Sequence, residues 1–250
     1  MMNEKYNLKI IDKQDISEAV SIVRSSFNPK YLYASIYRGH GIVSHIQNEL
    51  ENSFSPYYYM GLYENNILVG FVEYKLFKED NLSFLNMIAI RNDYKSLGIG
   101  TILFEKTRNF FADKGFGFIG LDVFASNTTA LNWYSKLGFK IENTTPFSKV
   151  TIKESNNSID FEILNYPQFK VVNKFYGFYF IELQYGNHKE SVRYIDSDLI
   201  IRGSKNKELE TIIIHLKKIV PIKNVYFIGD NCPFSSFELK DKILRMKLKL

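Results

Sequence analysis

The sequence predicts an α/β fold, a mixed sheet layered with helices. Three observations carry this. Hydrophobic periodicity over the first 150 residues runs strand, two helices, three strands, helix, strand, helix, strand. The run "SFLNMIAI" (Ser83 to Ile90) is nearly apolar throughout, as a central strand covered on both faces would be. The tail then repeats the strand, strand, helix, strand order of residues 67–123.

The elements follow in order. "LKII" (Leu8 to Ile11) is a short strand. "DISEAVSIVRSSF" places Ile16, Val20, Val23 and Phe27 at helical spacing, with Asp15 as N-cap and Glu18 at the third helical position. "NPKYLYASIYRGHG" is a tyrosine-rich loop or short helix, and "IVSHIQNELENSF" a second helix. "YYYMGLYE" and "ILVGFVEYKLF" flank the turn "ENN", which is a hairpin signal. After Ile90 a helix begins at "GIG", with Ile99, Ile102, Leu103, Lys106 and Phe110 on one stripe. "GFIGLDVF" is a strand. "NTTALNWYSKL" is a helix with Asn127 as N-cap and Gly138 just past its end. "GFKIE" is a strand, with "SKVTIKE" expected to pair with it.

"SNNSID" (Ser155 to Asp160) reads as a linker, dividing the chain into residues 1–155 and 156–250. In the tail, "FYFIELQY", "VRYIDSDLIIR", "NVYFIGD" and "KILRMKLKL" are strands and "NKELETIIIHLKKIV" is a helix. Its helix start, "RGSKNKELE", lacks paired glycines. The tail is either a degenerate second copy of the first fold or an unrelated small domain.

Composition excludes several classes. A hydrophobic fraction of 45% over 250 residues is enough for a core, and 17 Tyr with 21 Phe is not a disordered composition. The net charge of +5 fits a solvated surface with some excess lysine; nucleic-acid binding would need a concentrated basic patch and is not expected. The lysines of "LKDKILRMKLKL" alternate with apolar residues, as on a strand with one wet face. The single Cys232 permits no internal disulfide and no cysteine cage, and His40, His45, His188 and His215 show no ligand spacing, so no metal is expected. No stretch reads as a signal peptide or approaches the roughly 20 apolar residues of a membrane span, so a soluble, cytoplasmic protein is expected.

The stretch "MIAIRNDYKSLGIGTILF" holds the first chemistry. A helix start offers amide groups without intrahelical acceptors and a partial positive charge, which together attract anions. Gly98 and Gly100 would let a phosphate approach the backbone. A Walker loop would need Lys and Ser/Thr after the last glycine, where Thr101 and Ile102 stand. A dinucleotide fingerprint would need a third glycine at position 103, which is Leu.

Another pattern does fit. Lys95-Ser96-Leu97-Gly98-Ile99-Gly100 resembles the Arg/Gln-x-x-Gly-x-Gly/Ala signature of the GNAT superfamily of acetyl-CoA-dependent N-acetyltransferases, with Lys95 as the departure. "LDVFASNTTALNWYSKLGF" is similar to the family's other signature, with Asn127, Ala130, Tyr134, Gly138 and Phe139 all in place. The resemblance covers about residues 1–150. It implies a GNAT-like mixed sheet whose central strands splay apart, and an acyltransferase (EC 2.3.1.-). It also implies acetyl-CoA as co-substrate, with its pyrophosphate held by Lys95, Ser96, Leu97, Gly98, Ile99, Gly100 and Thr101. The pantetheine arm would lie along Ile88, Ala89 and Ile90, near Asn127, with a backbone N–H of Ile88 or Ile90 polarising the thioester carbonyl.

Two catalytic residues are expected from the resemblance. Tyr134 would act as general acid to the leaving thiolate; its plainer reading is a core aromatic. Glu73 would act as base toward the amine; its plainer reading is a surface carboxylate. Asn86, on the next strand, cannot be a base. His45 is expected to face solvent, and "PKYLYASIYRGH" to border the acceptor. The function implied is direct ternary-complex transfer of acetyl to a primary amine, on a small molecule or a protein. The alternative is a non-catalytic acyl-CoA-binding regulatory module. Whether the tail forms a homodimer, covers the site or does neither is left open by the sequence.

Overall fold

The computed structural model describes residues 5–153 and 157–250. Strand β1 (Tyr6–Ile10) leads to helices α1 (Ile16–Ser26) and α2 (Ile42–Glu51), joined by two 3-10 turns, Pro29–Leu32 and Ile36–Arg38. Strands β2 (Tyr57–Glu64), β3 (Ile67–Phe77) and β4 (Leu82–Ile90) form a meander. Helix α3 (Ile99–Asp113), strand β5 (Phe118–Phe124), helix α4 (Thr128–Lys136) and strand β6 (Lys140–Val150) follow. The second half holds β7 (Glu162–Ile163), α5 (Tyr166–Tyr176), β8 (Phe178–Tyr185), β9 (His188–Ile195), β10 (Asp198–Arg202), α6 (Glu208–Leu216), β11 (Asn224–Ile228) and β12 (Phe237–Lys249). Of the expected linker, Ser155 and Asn156 lie outside the described residues.

All strands join one twelve-stranded mixed sheet, in the order β1-β2-β3-β4-β5-β12-β6-β11-β10-β9-β8-β7. Each half contributes an antiparallel meander, then a crossover helix, then a parallel partner: β4 with β5 over α3, and β10 with β11 over α6. The closing strands are exchanged. β12 lies between β5 and β6, while β6 pairs with β11 of the other half.

Three apolar clusters fill the layers. One lies between the first half's sheet and α3 and α4, with Leu103, Phe104 and Phe111 fully buried. A second lies under α1, α2 and the tyrosine-rich loop, and takes Phe178, Ile200 and Tyr226 from the second half. The third packs α6 and its neighbours on the second half. The middle cluster is shared, so the two halves hold one face of the first sheet in common.

Several local expectations are corrected. "SFLNMIAI" is not covered on both faces: its burial alternates and Asn86 is exposed. The buried stripe of α3 is Ile99, Leu103, Phe104, Thr107 and Phe111, rotated from the expected one, so Lys106 and Phe110 lie at its edge. Thr107 is tolerated because its hydroxyl donates to the carbonyls of Leu103 and Phe104. "SKVTIKE" does not fold back on "GFKIE"; β6 is one continuous strand, since nothing in "NTTPF" turns the chain and β12 pairs along its length. "VRYIDSDLIIR" is two strands, broken where Asp196 and Ser197 take φ of 49° and 70°. Helix α5 has no expectation behind it; its Pro167 sits in the first turn, where proline is tolerated. Asp15 does not cap α1 with its side chain but accepts from Tyr63 Oη at 2.7 Å, and Glu18 pairs with Arg91 at 2.7 Å instead of completing a capping box.

Candidate active site

The site begins with an irregularity in β4. Glu73 of β3 pairs with Met87, but Tyr74 pairs with Leu85, so Asn86 is the extra residue of a β-bulge. The bulge bends β4 away from β5. Their pairing covers only Leu82 to Leu85 against Phe118 to Leu121, although both strands run on. This is the splay expected of the family. The N–H of Arg91 donates across to Val69 on β3 at 3.0 Å. Backbone groups alternate sides along a strand, so those of Ile88 and Ile90 turn toward the gap, and Ala89 turns away. The carbonyl of Ile90 accepts from Ser26 Oγ at 2.8 Å.

At the mouth of this gap stands the glycine loop. Ser96 and Gly98 both take positive φ, 64° and 78°, which turns the chain sharply into α3. Among the described residues, no backbone acceptor is seen for the N–H groups of Ser96, Leu97, Gly98, Ile99 or Gly100. The first turn of α3 holds no acidic residue. Gly100 is informative because the fold does not demand it. Its φ is not positive, and an added Cβ would meet only Trp133 and Ile90 at 3.7 and 3.8 Å, ordinary contact distances. Room for a close ligand is the remaining reason for glycine here. Lys95 Nζ reaches Ser26 O at 3.4 Å and is exposed; Thr101 Oγ1 accepts from Trp133 Nε1 at 3.2 Å.

Across the gap, α4 is fixed at both ends. Asn127 Oδ1 accepts from the N–H of Ala130 at 3.3 Å, so the capping reading of Asn127 holds. At the other end Phe139 N–H donates to Tyr134 O and Gly138 N–H to Ser135 O, a Schellman closure with Gly138 at φ 93°. Tyr134 is 8% exposed, and burial raises its pKa well above the ordinary tyrosine value. No hydrogen bond to its hydroxyl is seen among the described residues.

Glu73 lies on the other side of the β4 bulge and is only 3% exposed, so it is not a surface carboxylate. Tyr37 Oη donates to its Oε2 at 2.6 Å, and Asn86 Nδ2 donates to its Oε1 at 2.8 Å. Burial raises its pKa; the two hydrogen bonds oppose this and the nearby Glu49 adds to it. Tyr37 belongs to the tyrosine-rich loop. That loop is held by Arg24, whose guanidinium donates to the carbonyls of Tyr37 and Gly39 at 2.9 and 2.8 Å. From outside, the second half presses on it: Arg38 pairs with Asp198 at 2.8 Å, and a Cβ on Gly41 would come within 2.1 Å of Phe175 O.

Glu73, Asn86, Ile88, Asn127 and Tyr134 all line one cavity of about 790 Å³. The loop contributes Tyr31, Leu32 and Tyr37, and the second half contributes Phe178, Phe180 and Arg193. His45 also lines it. It is half-buried between Tyr176 and Phe178, with ring centroids 5.4 and 5.2 Å away, and burial lowers its pKa; it does not face solvent. The clamp residues 95–101 lie outside this cavity, around the far end of the gap. Sequence reasoning missed Tyr37 and the orienting role of Asn86. A register shift between strands leaves no periodicity to read, and one tyrosine among several carries no mark. Among the described residues there is no group of three His, Cys, Asp or Glu side chains placed to hold a metal. Nor, among them, is any helix long and apolar enough to cross a membrane.

The site thus joins a parallel strand pair opened by a bulge, a glycine-started helix at its mouth, and a buried Glu and Tyr across it. The acetyltransferase (GNAT) family profile matches residues 25–139, which carry all of these parts. Residues 25–139 are thus a GNAT-type acyltransferase region. The spermidine N(1)-acetyltransferase of Thermoplasma acidophilum is 28% identical over 142 residues, covering 52% of this chain and 86% of that protein. A Drosophila melanogaster protein described as the probable N-acetyltransferase san is 36% identical over 85 residues, 33% of this chain, and the match spans about half (46%) of its length. A solved tandem GNAT protein from the clavulanic acid biosynthesis pathway superposes on 98% of both chains with a TM-score of 0.68, at 10% identity. The whole chain therefore has the fold of two GNAT-like copies in tandem.

Proposed function

We propose that the protein transfers the acetyl group of acetyl-CoA to a primary amine by direct attack in a ternary complex. The observation that carries this is the convergence of Glu73, Asn86 and Tyr134 on one cavity that opens into the gap between β4 and β5. Acetyl-CoA supplies an activated acyl group. The amides of residues 96–100, with Lys95 beside them, fit its pyrophosphate, and the freed edge of Ile88 to Ile90 fits its pantetheine amides.

The protein's own groups then divide the proton work. Glu73, oriented by Tyr37 and Asn86, takes a proton from the incoming ammonium, directly or through one water. Its raised pKa brings it closer to working pH than an ordinary carboxylate. Tyr134 stays protonated because burial raises its pKa, and it gives that proton to the departing sulfur. The N–H of Ile88 or Ile90 polarises the carbonyl under attack. In this reading residues 1–155 are the transferase unit, residues 156–250 are a second copy that binds no coenzyme, and the loop of residues 29–40 borders the acceptor.

Thiol release from acetyl-CoA, followed over a panel of amines, tests the reaction. Acetyl transfer with calorimetric coenzyme binding supports it; the absence of coenzyme binding would end it.

A further inference from the structure

The cavity's far wall belongs to the second half and carries two arginines that form no ion pair among the described residues. Arg193 projects from β9 and Arg202 from the end of β10, and both line the cavity that holds Glu73 and Tyr134. A third arginine, Arg245 of β12, also lines it but is satisfied. Its guanidinium grips Asp122 on two bonds, 2.5 and 2.9 Å. No carboxylate pairs with Arg193 or Arg202 among the described residues. Glu73 is engaged by Tyr37 and Asn86, and Glu49 accepts from Ser55 Oγ at 2.5 Å. Asp80 lines the cavity as an exposed residue and is not among the groups acting on either guanidinium.

One of the two unpaired arginines, Arg193, is also positioned by a neighbour. The Arg193 guanidinium carbon lies over the Phe180 ring, 5.0 Å from its centroid, a cation–π contact that helps hold it in place. Burial lowers its pKa first, and the positive charge of Arg202 lowers it further, so the two like charges are held near each other. For Arg202 burial again comes first, with Asp122 opposing it and Arg245 adding repulsion. Arg193 is half-buried and Arg202 exposed; their mutual repulsion is relieved by a carboxylate or phosphate, which a guanidinium binds with bidentate hydrogen bonds. Phe84 and Tyr179 beside them offer apolar surface.

We propose that Arg193 and Arg202 bind an anionic group, a carboxylate or a phosphate, carried by the amine acceptor. The protein therefore acetylates amines that also bear negative charge, and polyamines are repelled from this wall. This specificity rests on the transferase reading above. Both arginines lie beyond residue 139, where the family match ends, so this selectivity is added by the second half.

Matched amine pairs test it on the full-length protein. L-Phenylalanine and phenethylamine differ by the carboxylate; O-phosphoethanolamine and ethanolamine differ by the phosphate. Spermidine is the polycation. The expected result is kcat/KM at least tenfold higher for the charged member of one pair, and the pair that responds identifies carboxylate or phosphate. That ratio should collapse at least tenfold in R193Q and R202Q, mainly through KM, and recover in part in R202K. Equal rates within both pairs, or spermidine as the fastest acceptor, would overturn the anionic acceptor while leaving the transferase intact. An undiminished ratio in both Gln variants would overturn the role of these arginines. No transfer to any amine, with coenzyme bound or not, would fail the transferase reading and this inference with it.

Discussion

The two halves of this chain share an architecture and differ in whether it is open. In the first, β4 and β5 separate after four paired residues; in the second, β10 and β11 stay paired from Asp198 to Arg202, the full length of β10. The first half starts its crossover helix with free amides and no acidic residue. The second starts α6 with Glu208 and Glu210 in the first turn, and Glu210 already accepts from Ser235 N and Oγ at 2.9 and 2.8 Å. An anion would meet repulsion there, and the nearby donors are taken. The first half follows its parallel strand with α4 and Tyr134; the second runs from β11 to β12 with no intervening helix. The lesson is that a fold copy can keep its strand order while one strand pair closes and one helix terminus fills with acidic side chains. What the closed copy keeps is a wall, and it presents that wall to the open one.

The comparison can be broken in several ways. The largest effect should come from ending the chain before β12. That strand pairs with seven residues of β5 and buries Leu244, Met246 and Leu248 in the first half's core. We expect loss of soluble, cooperatively unfolding protein, read by circular dichroism. A truncated chain that folds would show that the open half's sheet does not need β12.

Catalytic substitutions come next. Tyr134→Phe should lower kcat by roughly 10²-fold or more while coenzyme affinity from calorimetry changes by less than about twofold. Unchanged turnover would leave Tyr134 a core aromatic. Glu73→Gln should cost roughly 10²-fold in rate and remove the acid limb of the pH–rate profile. Because the folded carboxyl holds its proton more tightly than the unfolded one, activity should rise with pH through its raised pKa. Over the same window the group's contribution to stability, complete below the ordinary carboxylate value, should be lost. A profile that does not move in the variant would exclude Glu73 as base.

The smallest effect sharpens the contrast between the helix starts. Gly100→Ala should raise stability by about 0.5–1 kcal/mol, since the added methyl meets no clash, yet weaken coenzyme binding about tenfold. Lys207→Ala at the start of α6 should leave coenzyme affinity as it is. Equal effects at both starts would mean the closed copy also engages the coenzyme.

Much of the open half could be read from the residues. The glycine loop and the Asn127–Phe139 segment act locally, through backbone freedom and helix capping, and such constraints leave a fixed spacing. Glu73 was readable as a candidate, but its environment was not. Burial depends on Tyr37, 36 residues away, and on a bulge that shifts register by one residue. His45 was misplaced for a similar reason, since the aromatics around it belong to α5 and β8. The arginine wall was invisible for the same cause: Arg193 and Arg202 are neighbours on β9 and β10, but they face Glu73 and Tyr134 only once the two halves share one sheet. Chemistry held within one segment leaves a pattern; chemistry assembled across the sheet does not.

That exchange also sets a schedule for biosynthesis. Every strand that β12 touches emerges from the ribosome before it does, and β5 waits for more than a hundred residues to be translated. Until then β5 has an unprotected edge, open to wrong pairing. The sheet that carries Glu73 and Tyr134's neighbours therefore stays open at β5 until β12 has been made.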